Sequence, residues 1–352
     1  MNERSVLQVL PHPGGGGETY LEALAAMEGY RFRRAYLVSR SRRAPSLLRG
    51  AVGVHRAALR HDALHAHGEV ASGACLPALA TRPSVVTLHG LHLLRRVSGL
   101  PRQLAEANLR LIVRAAARTI CVSEAEHAEL VDAVGARAAR RALVIHNGVG
   151  ISAAPGAEER AAARAELRIA PETVAGVCVG SLDEHKDPLT PVRAAIEVAR
   201  GGADLVVLVV GDGPLRPEVE RAARDKDAVR LLGFRADVRR VLAAADFFVL
   251  SSSREGLSFS LLEAMALGLP AVVSDAPGNP EAVGEAGLVV PYGDVAGFAT
   301  AFRRLAADEG ERLDLGARAR ERVAGRFRAD EMVRRTREVY DEVVRERRGQ
   351  AA

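Results

Sequence analysis

Short apolar runs alternate with amphipathic stretches along almost the whole chain of 352 residues. Six apolar runs of strand length lie in the first half, namely Val6–Leu10, Ala35–Val38, Ala63–His67, Val85–Leu88, Thr119–Val122 and Leu143–Ile145. Six more lie in the second half, namely Ala175–Val179, Leu205–Val210, Val229–Leu232, Phe247–Leu250, Ala271–Val273 and Leu288–Val290. Stretches with helical periodicity separate them, among them Tyr20–Met27, Gln103–Ala117 and Glu124–Val134. The sequence Ser123-Glu-Ala-Glu126 predicts a capping box at the start of the last of these helices. Strands that alternate with helices are typical of parallel sheets, so the pattern predicts an α/β fold formed twice.

The length of the chain suits two domains, each with its own core. From Gly150 to Pro171 the sequence is rich in Ala, Glu and Arg and contains Pro155-Gly156, which predicts a linker and one surface helix. We therefore predict a doubly wound, Rossmann-like domain over residues 1–150 and a second over residues 151–330. A helix over residues 331–352 is expected to pack back toward the first domain. Ligands are expected at the carboxyl ends of the strands, in a cleft between the domains.

Composition narrows the class of protein. The chain is 48% hydrophobic and 26% charged, as in water-soluble globular proteins, and its longest apolar runs are too short to span a bilayer. The first residues show no signal-peptide pattern, so a cytoplasmic location is expected. Three scattered cysteines, Cys75, Cys121 and Cys178, are expected to be reduced core thiols. Nothing in the sequence indicates a nucleic-acid partner.

The stretch from Glu255 to Glu263 carries the clearest chemical signal. It follows the apolar run Phe247–Leu250 and leads into a helical run that ends before Gly268 and Pro270. The spacing of eight residues is a little over two helical turns, so both carboxylates are expected to face one crevice. Between them, the N–H groups at the start of the helix form an anion site. Two hydroxyl acceptors around a phosphate cradle suit a nucleotide-sugar; the alternative is two solvated glutamates on an ordinary helix.

Lysine is rare in this chain. Of 49 basic residues only Lys186 and Lys226 are lysines. Lys226 lies in a charged turn, where a solvated face explains it. Lys186 follows a buried strand and precedes the helix that begins at Asp187-Pro188, and a compact ammonium is therefore expected to have a specific task there.

Other loops at predicted strand ends are further candidates. Four glycines in Pro13-Gly-Gly-Gly-Gly-Glu18 allow a phosphate to approach the backbone, although they match neither the Walker loop nor the dinucleotide fingerprint. Gly211-Asp-Gly-Pro214 is a common tight turn that would border a base or ribose. His89 ends a predicted strand, where it is either structural or a hydrogen-bond partner for a sugar. A metal site at Asp62, His65 and His67 is disfavoured, since Asp62 and His65 would point to opposite faces.

Taken together, these blocks resemble the GT-B retaining glycosyltransferases, specifically glycosyltransferase family four. The resemblance covers nearly the whole chain. The matching blocks of the second half are Val144–Val149, Val179–Lys186, Val210–Leu215, Leu232–Phe234, Glu255–Glu263 and Gly278–Glu281. In the first half the glycine loop, Asp62–His67, Thr87–Gly90 and Val122–Glu124 also match.

The resemblance implies a role for each matching residue. Glu263 would bind the ribose hydroxyls, Glu255 would contact the donor sugar, and Lys186 would neutralise the leaving phosphate. His89 would lie beside the sugar and the acceptor. The remaining positions would bind the donor. Gly211 and Gly213 would lie along the nucleotide, and Phe234 would lie near the edge of the base. The diphosphate would be held by backbone N–H groups of Gly15, Gly16, Ser258, Phe259 and Ser260. Family members of this kind usually need no metal or cofactor.

One position departs from the family pattern. Where the family often has Arg, this chain has Ser181, which supplies no positive charge. Lys186 would therefore neutralise more of the charge of the donor phosphate alone.

The sequence thus predicts an enzyme of carbohydrate biosynthesis, a retaining glycosyltransferase that moves a sugar from a nucleoside-diphosphate sugar to a hydroxyl acceptor. The acceptor would be a glycan, a lipid-linked molecule or a small molecule. Alternatives are a GT-B nucleotide-sugar epimerase, a pyridoxal-phosphate phosphorylase and a catalytically silent nucleotide-sugar-binding subunit. Arginine clusters at 31–34, 40–43 and 95–96, the last within the apolar segment Leu91–Val97, suggest peripheral contact with an anionic membrane. The competing interpretation is a solvated face in an arginine-rich chain.

Overall fold

The computed structural model describes residues 3–37, 44–224 and 227–351. The described residues divide into two compact units, one formed by the part of the chain up to residue 147 together with that from residue 329, the other by residues 148–328. Lys226 and the arginine cluster at 40–43 lie outside the described residues, as do the side chains of Arg95 and Arg96.

The first unit contains a parallel sheet of six strands with the order β2-β1-β3-β4-β5-β6. The strands are β1 (Arg4–Leu10), β2 (Tyr30–Tyr36), β3 (Ala63–His67), β4 (Ser84–Thr87), β5 (Arg118–Cys121) and β6 (Ala142–Val144). The helices between and after them are α1 (Gly16–Leu24), α2 (Ala44–Ala58), α3 (Gly68–Ala74), α4 (Leu76–Thr81), α5 (His92–Arg96), α6 (Gly99–Ala115), α7 (Glu124–Val134) and α8 (Ala136–Ala139).

The second unit repeats this plan with the strand order β12-β11-β10-β7-β8-β9. Its strands are β7 (Val174–Val179), β8 (Leu205–Val210), β9 (Val229–Gly233), β10 (Phe247–Leu250), β11 (Ala271–Ser274) and β12 (Gly287–Val290). Its helices are α9 (Ala157–Glu166), α10 (Leu189–Arg200), α11 (Arg216–Ala223), α12 (Val238–Ala244), α13 (Phe259–Ala266), α14 (Gly278–Val283), α15 (Val295–Ala307) and α16 (Glu309–Arg326). A doubly wound α/β fold is thus present twice, as predicted.

The last helix, α17 (Ala329–Ala351), belongs to the first unit. Tyr340 is fully buried there, and Asp341 accepts hydrogen bonds from the side chains of Arg4 and Tyr30. Arg118 of β5 donates to Glu342. The helix therefore completes the core of the first unit with residues that follow the whole second unit in the chain.

One predicted strand was misplaced. The apolar run Ala35–Val38 suggested the second strand, but β2 begins five residues earlier, at Tyr30, and has the polar sequence Tyr-Arg-Phe-Arg-Arg-Ala-Tyr. Because β2 lies at the edge of the sheet and pairs only with β1, most of its side chains remain exposed, and no apolar run marks it. Val38 lies outside the described residues.

The apolar side chains form one core in each unit. All six residues of β8 are buried, as expected for a central parallel strand covered on both faces. The three cysteines are buried and unpaired, as predicted. No helix in the described part of the chain has the length and apolar character needed to cross a membrane.

Candidate active site

Lys186 and Glu255 form an ion pair in the second unit. Their loops follow β7 and β10, which are neighbours at the point where the strand order of the sheet reverses. Nζ of Lys186 lies 2.6 Å from Oε1 of Glu255, and the two side chains are 22% and 8% exposed. Such a switch point is where open α/β sheets bind ligands. The sequence placed both residues in one site but did not predict that they pair.

Asp183 organises the loop that carries Lys186. Its carboxylate accepts hydrogen bonds from the hydroxyl of Ser181, at 2.6 Å, and from the backbone N–H groups of His185 and Lys186, both at 3.2 Å. The imidazole of His185 also contacts this carboxylate. The backbone direction at Lys186 is therefore fixed by an acidic residue that sequence reasoning did not identify.

Ser251 connects this loop to the one that carries Glu255. Its hydroxyl lies within hydrogen-bond distance of the carbonyl oxygens of Lys186, at 3.0 Å, and Asp187, at 2.7 Å. The N–H of Ser253 donates to the carbonyl of His185 at 2.7 Å. These contacts explain how two residues 69 positions apart come into register.

At three positions near the ion pair, the structure shows why the residue is glycine, which the sequence alone did not. A Cβ at Gly211 would lie 1.8 Å from the carbonyl oxygen of Gly180, and one at Gly213 would lie 2.5 Å from that of Leu182. A Cβ at Gly278 would lie 1.8 Å from the carbonyl oxygen of Gly256. Each glycine lets one loop at the strand ends pack directly on the backbone of another. The predicted contacts of Gly211 and Gly213 with the nucleotide stay predictions.

The helix α13 begins nearer to Glu263 than predicted. It starts at Phe259, so Glu263 lies a little over one turn into it, while Glu255 lies in the preceding loop. The argument from helical spacing between the two glutamates was therefore wrong. The hydroxyl of Ser258 caps the helix by accepting the N–H of Leu261 at 3.5 Å. Glu263 is half-buried, and this burial raises the pKa of its carboxyl.

Other residues proposed for donor binding differ in exposure. The ring of Phe259 is buried at 8% exposure, so only its backbone is able to face a ligand. Phe234, directly after β9, is 79% exposed and available for stacking. Ser181 is exposed, and its hydroxyl is engaged by Asp183.

In the first unit, the glycine loop leads into α1. Gly14 and Gly15 have φ values of 90° and 79°, which only glycine adopts readily, and the helix begins at Gly16. Both glycines have open space where a Cβ would lie. Their conformation, and not crowding, is what requires glycine there. The predicted phosphate contact of Gly15 and Gly16 is not tested by this geometry.

His89 lies just after β4 with a φ of 59°, which is rare for a residue with a side chain. The following N–H, of Gly90, donates to the carboxylate of Glu126, which also accepts the N–H of Val122 at 2.6 Å. Ser123 caps α7 as predicted, but Glu126 does not close a capping box and instead supports the His89 loop. Burial raises the pKa of the Glu126 carboxyl to about 8, although the two N–H donors act to lower it.

His89 contacts two further residues of the first unit. Its Nε2 lies 2.9 Å from Nδ1 of His67, and the ring of Tyr20 meets it edge-on at 5.1 Å between centroids. Burial lowers the pKa of His89 to about 3, so the ring is neutral at physiological pH. The carboxylate of Asp62 accepts hydrogen bonds from Ser5, and no group of three or more His, Cys, Asp or Glu among the described residues is placed to hold a metal.

The two doubly wound units of six parallel strands, with candidate residues at the strand ends, have the fold of the GT-B class of proteins. A family model described as Glycosyltransferase Family 4 matches residues 7–152, and one described as Glycosyl transferases group 1 matches residues 174–308. A D-inositol 3-phosphate glycosyltransferase from Kineococcus radiotolerans is 31% identical over 327 residues, 83% of this chain and 74% of that protein. The chain belongs to glycosyltransferase family four.

Further relatives match over shorter regions. An N-acetyl-alpha-D-glucosaminyl L-malate synthase from Bacillus anthracis is 34% identical over 41% of this chain and 39% of its own length. The lipopolysaccharide core biosynthesis glycosyltransferase LpsE from Rhizobium meliloti is 33% identical over 47% of this chain and 48% of its own length. The chain thus spans less than half the length of these two relatives.

Solved structures share the fold. Anabaena HepE in complex with UDP-glucose superimposes with a TM-score of 0.82 at 20% identity, covering 97% of this chain and all of that one. WaaG, a glycosyltransferase involved in lipopolysaccharide biosynthesis, gives a TM-score of 0.74 at 16% identity, covering 96% and 99%.

Proposed function

We propose that the protein is a retaining glycosyltransferase that moves a sugar from a nucleoside-diphosphate sugar to a hydroxyl acceptor. The bond between the anomeric carbon and the phosphate oxygen breaks, a bond to the acceptor oxygen forms, and the anomeric configuration is kept. The observation that carries the proposal is the pair of Lys186 and Glu255 at the switch point of the second sheet, in the loops beside α13. Family membership supports it.

The surroundings of these residues support the roles proposed for them. The first N–H groups of α13 lack helical partners and suit a phosphate, and Lys186 adds a positive charge for the leaving group. Glu263, in the second turn of this helix, supplies a carboxylate for ribose hydroxyls. Glu255, nearly buried, supplies a carboxylate for the donor sugar once Lys186 turns to the phosphate.

A uridine nucleotide is the first donor to test. HepE was solved with UDP and with UDP-glucose, and a relative from Escherichia coli is named for a UDP-Gal donor and a diphosphoundecaprenol-linked acceptor. The names of the relatives cover lipid-linked, glycan and small-molecule acceptors. We propose that donor binding and transfer need no metal or cofactor.

Contact with an anionic membrane remains a proposal, but one of its premises was wrong. Leu91 and Leu94, within the segment 91–97, are 2% and 1% exposed because they belong to the core of the first unit. Support comes instead from α6, where Leu100, Leu104 and Leu111 are each more than half exposed. Their spacing of four and seven residues places them on one side of the helix.

The test is release of nucleoside diphosphate from a panel of UDP-, GDP- and ADP-sugars, with acceptors of all three classes. Lys186→Ala serves as the matched variant and should lower turnover more than donor affinity, because charge on the leaving phosphate grows toward the transition state. Lys186→Arg should restore little of the turnover, since a planar guanidinium group does not replace a compact ammonium charge. Adding a chelator should leave turnover unchanged.

Three outcomes contradict the proposal. Donor binding without turnover on any acceptor would favour the silent binding subunit. A changed sugar still attached to its nucleotide would favour an epimerase. Inverted anomeric configuration in the product, read by proton NMR, would refute the retaining mechanism.

A further inference from the structure

A chain of buried polar side chains supports His89 in the first unit. Nε2 of His89 lies 2.9 Å from Nδ1 of His67, and Nε2 of His67 lies 2.7 Å from the amide oxygen of Gln8. Gln8 and His67 are no more than 1% exposed. They lie on β1 and β3, which are adjacent strands, so the sheet itself fixes their separation.

The amide of Gln8 is held in turn by the last helix. Its Nε2 donates to the hydroxyl of Tyr340, on α17, at 3.0 Å. The same hydroxyl lies 2.6 Å from Nδ1 of His65, and Nε2 of His65 lies 2.7 Å from the hydroxyl of Thr87. In the structure the amide nitrogen of Gln8 faces Tyr340 and the amide oxygen faces His67.

With the amide of Gln8 in this orientation, the protonated nitrogens of His67 and His89 follow. Burial lowers the pKa of His65 and of His67 well below the usual value, and His89 is neutral as well. A neutral imidazole has one donor and one acceptor nitrogen. The oxygen of Gln8 only accepts, so Nε2 of His67 carries the proton and Nδ1 of His67 accepts. Nε2 of His89 therefore donates, and Nδ1 of His89 is left as an acceptor.

We propose that Gln8 and His67 are positioning residues that hold His89 as the Nε2–H tautomer, so that His89 presents an acceptor nitrogen to a substrate hydroxyl. This inference rests on the glycosyl-transfer function proposed above. His89 remains partly exposed, and no described residue donates a hydrogen bond to its Nδ1. An acceptor nitrogen pairs with a hydroxyl but not with an oxygen of an ionised phosphate, which is itself an acceptor. His89 is thereby assigned to a hydroxyl of the sugar or of the acceptor, and not to the diphosphate.

The tautomer is measured directly in the free protein. Long-range proton–nitrogen NMR on protein labelled with 15N at its ten histidines separates protonated from unprotonated ring nitrogens, and His89→Asn assigns the signals of His89. We expect the proton of His89 on Nε2. A proton on Nδ1 of His89 in the wild type would overturn the proposal, whether or not any sugar transfer is found.

Gln8→Met removes the acceptor while keeping a side chain of similar length in the core. His67 then has no partner for Nε2–H, and we expect His67 and His89 to exchange tautomers. Tyr340→Phe removes the hydroxyl that orients Gln8 and should shift the same signals. The matched control is Tyr30→Phe, because the hydroxyl of Tyr30 also bonds to α17, at 2.7 Å to Asp341, and not to Gln8 or His67. The substitution keeps the ring, which packs against that of Tyr340. This control should leave the His89 signals unchanged.

Kinetics then test the functional consequence. In an active enzyme, Gln8→Met should lower kcat about tenfold, because the exchanged His89 turns an N–H and not an acceptor nitrogen toward the substrate hydroxyl, and one hydrogen bond is lost. Tyr30→Phe should retain wild-type turnover after correction for the folded fraction. Full turnover by Gln8→Met with an exchanged tautomer would refute the positioning role while leaving the proposed function intact. An absence of turnover in the wild type would count against the proposed function alone, since the NMR result is read without it.

Discussion

Replacing Glu255 by Gln should tighten the binding of a nucleoside diphosphate while it slows turnover. In the free protein Nζ of Lys186 is engaged by the carboxylate of Glu255 at 2.6 Å. A diphosphate that recruits Lys186 must compete with that carboxylate. Glutamine has nearly the same size but no charge, so the substitution frees the ammonium for the phosphate.

The size of the effect follows from the exposure of the pair. At 2.6 Å and an effective dielectric constant of ~20 the bare attraction is about 6 kcal/mol, but desolvation of both ions offsets most of it. Because Lys186 is 22% exposed, the pair lies between a surface pair and a buried one. A net value of ~1 kcal/mol is reasonable for such a pair. That value corresponds to about fivefold tighter binding.

Calorimetry with UDP on the wild type and on Glu255→Gln measures this directly. The matched control is Glu184→Gln, which removes the same charge from an exposed residue two positions before Lys186. Screening by water should limit its effect to less than twofold. Unchanged or weaker UDP binding by Glu255→Gln would refute the competition. Equal tightening in both variants would show that overall charge, and not the ion pair, is responsible.

Three further predictions concern other parts of the molecule. Glu263→Ala should weaken UDP binding with little change in kcat, because ribose contacts are equal in the ground and transition states; equal UDP affinity by calorimetry would refute the ribose role. The folded-state pKa of Glu126, about 8, lies above the ~4.3 of an unfolded glutamate, so this residue contributes stability below pH 4.3 that is lost as pH rises through 8. The buried histidines have lowered pKa values and so favour the folded state more as pH rises, but both proteins contain them and their effect cancels in the comparison. The difference in unfolding free energy between the wild type and Glu126→Gln should therefore fall from pH 5 to pH 8, by at most ~1.4 kcal/mol per pH unit. A pH-independent difference contradicts this. If α6 contacts lipid, the protein should sediment with anionic but not neutral vesicles, less so at high salt, and Leu104→Glu should reduce it; no sedimentation at low salt leaves an acceptor in solution.

The fold was predictable because parallel strands buried on both faces need continuous apolar runs. The run Leu205–Val210 coincides with β8 for this reason. The exception, β2, is an edge strand whose exposed arginines hide it from any search for apolar runs. Gln8 did leave a signal, a single polar residue within the apolar sequence Val6–Leu10, yet its partner Tyr340 lies 332 positions away. No local pattern links two such positions.

The candidate site was predictable as a set of residues but not as a set of contacts. Lys186 stood out because lysine is rare, and Glu255 because of its place after a strand. Their pairing depends on β7 and β10 being neighbours, which the order of strands along the chain does not reveal. Glu126 was explained by a local capping pattern, and that explanation hid its contact with the N–H of Gly90, 36 positions earlier.

The structure gives Ser181, which stands where the family often has Arg, a role that the sequence did not suggest. From the sequence, the change removes a cation from the donor phosphate. In the structure, the hydroxyl of Ser181 donates to Asp183, whose carboxylate also holds the backbone N–H of Lys186. A free carboxylate next to the proposed phosphate position would repel an anion. The carboxylate of Asp183 is instead occupied by the hydrogen bonds that orient this loop. Lys186 is itself paired with Glu255, so in the proposed mechanism donor binding frees Lys186 from this pair and the N-terminus of α13 supplies further attraction. If the proposed function holds, neutralisation of the leaving phosphate depends on how readily this ion pair opens, which is the quantity that Glu255→Gln changes.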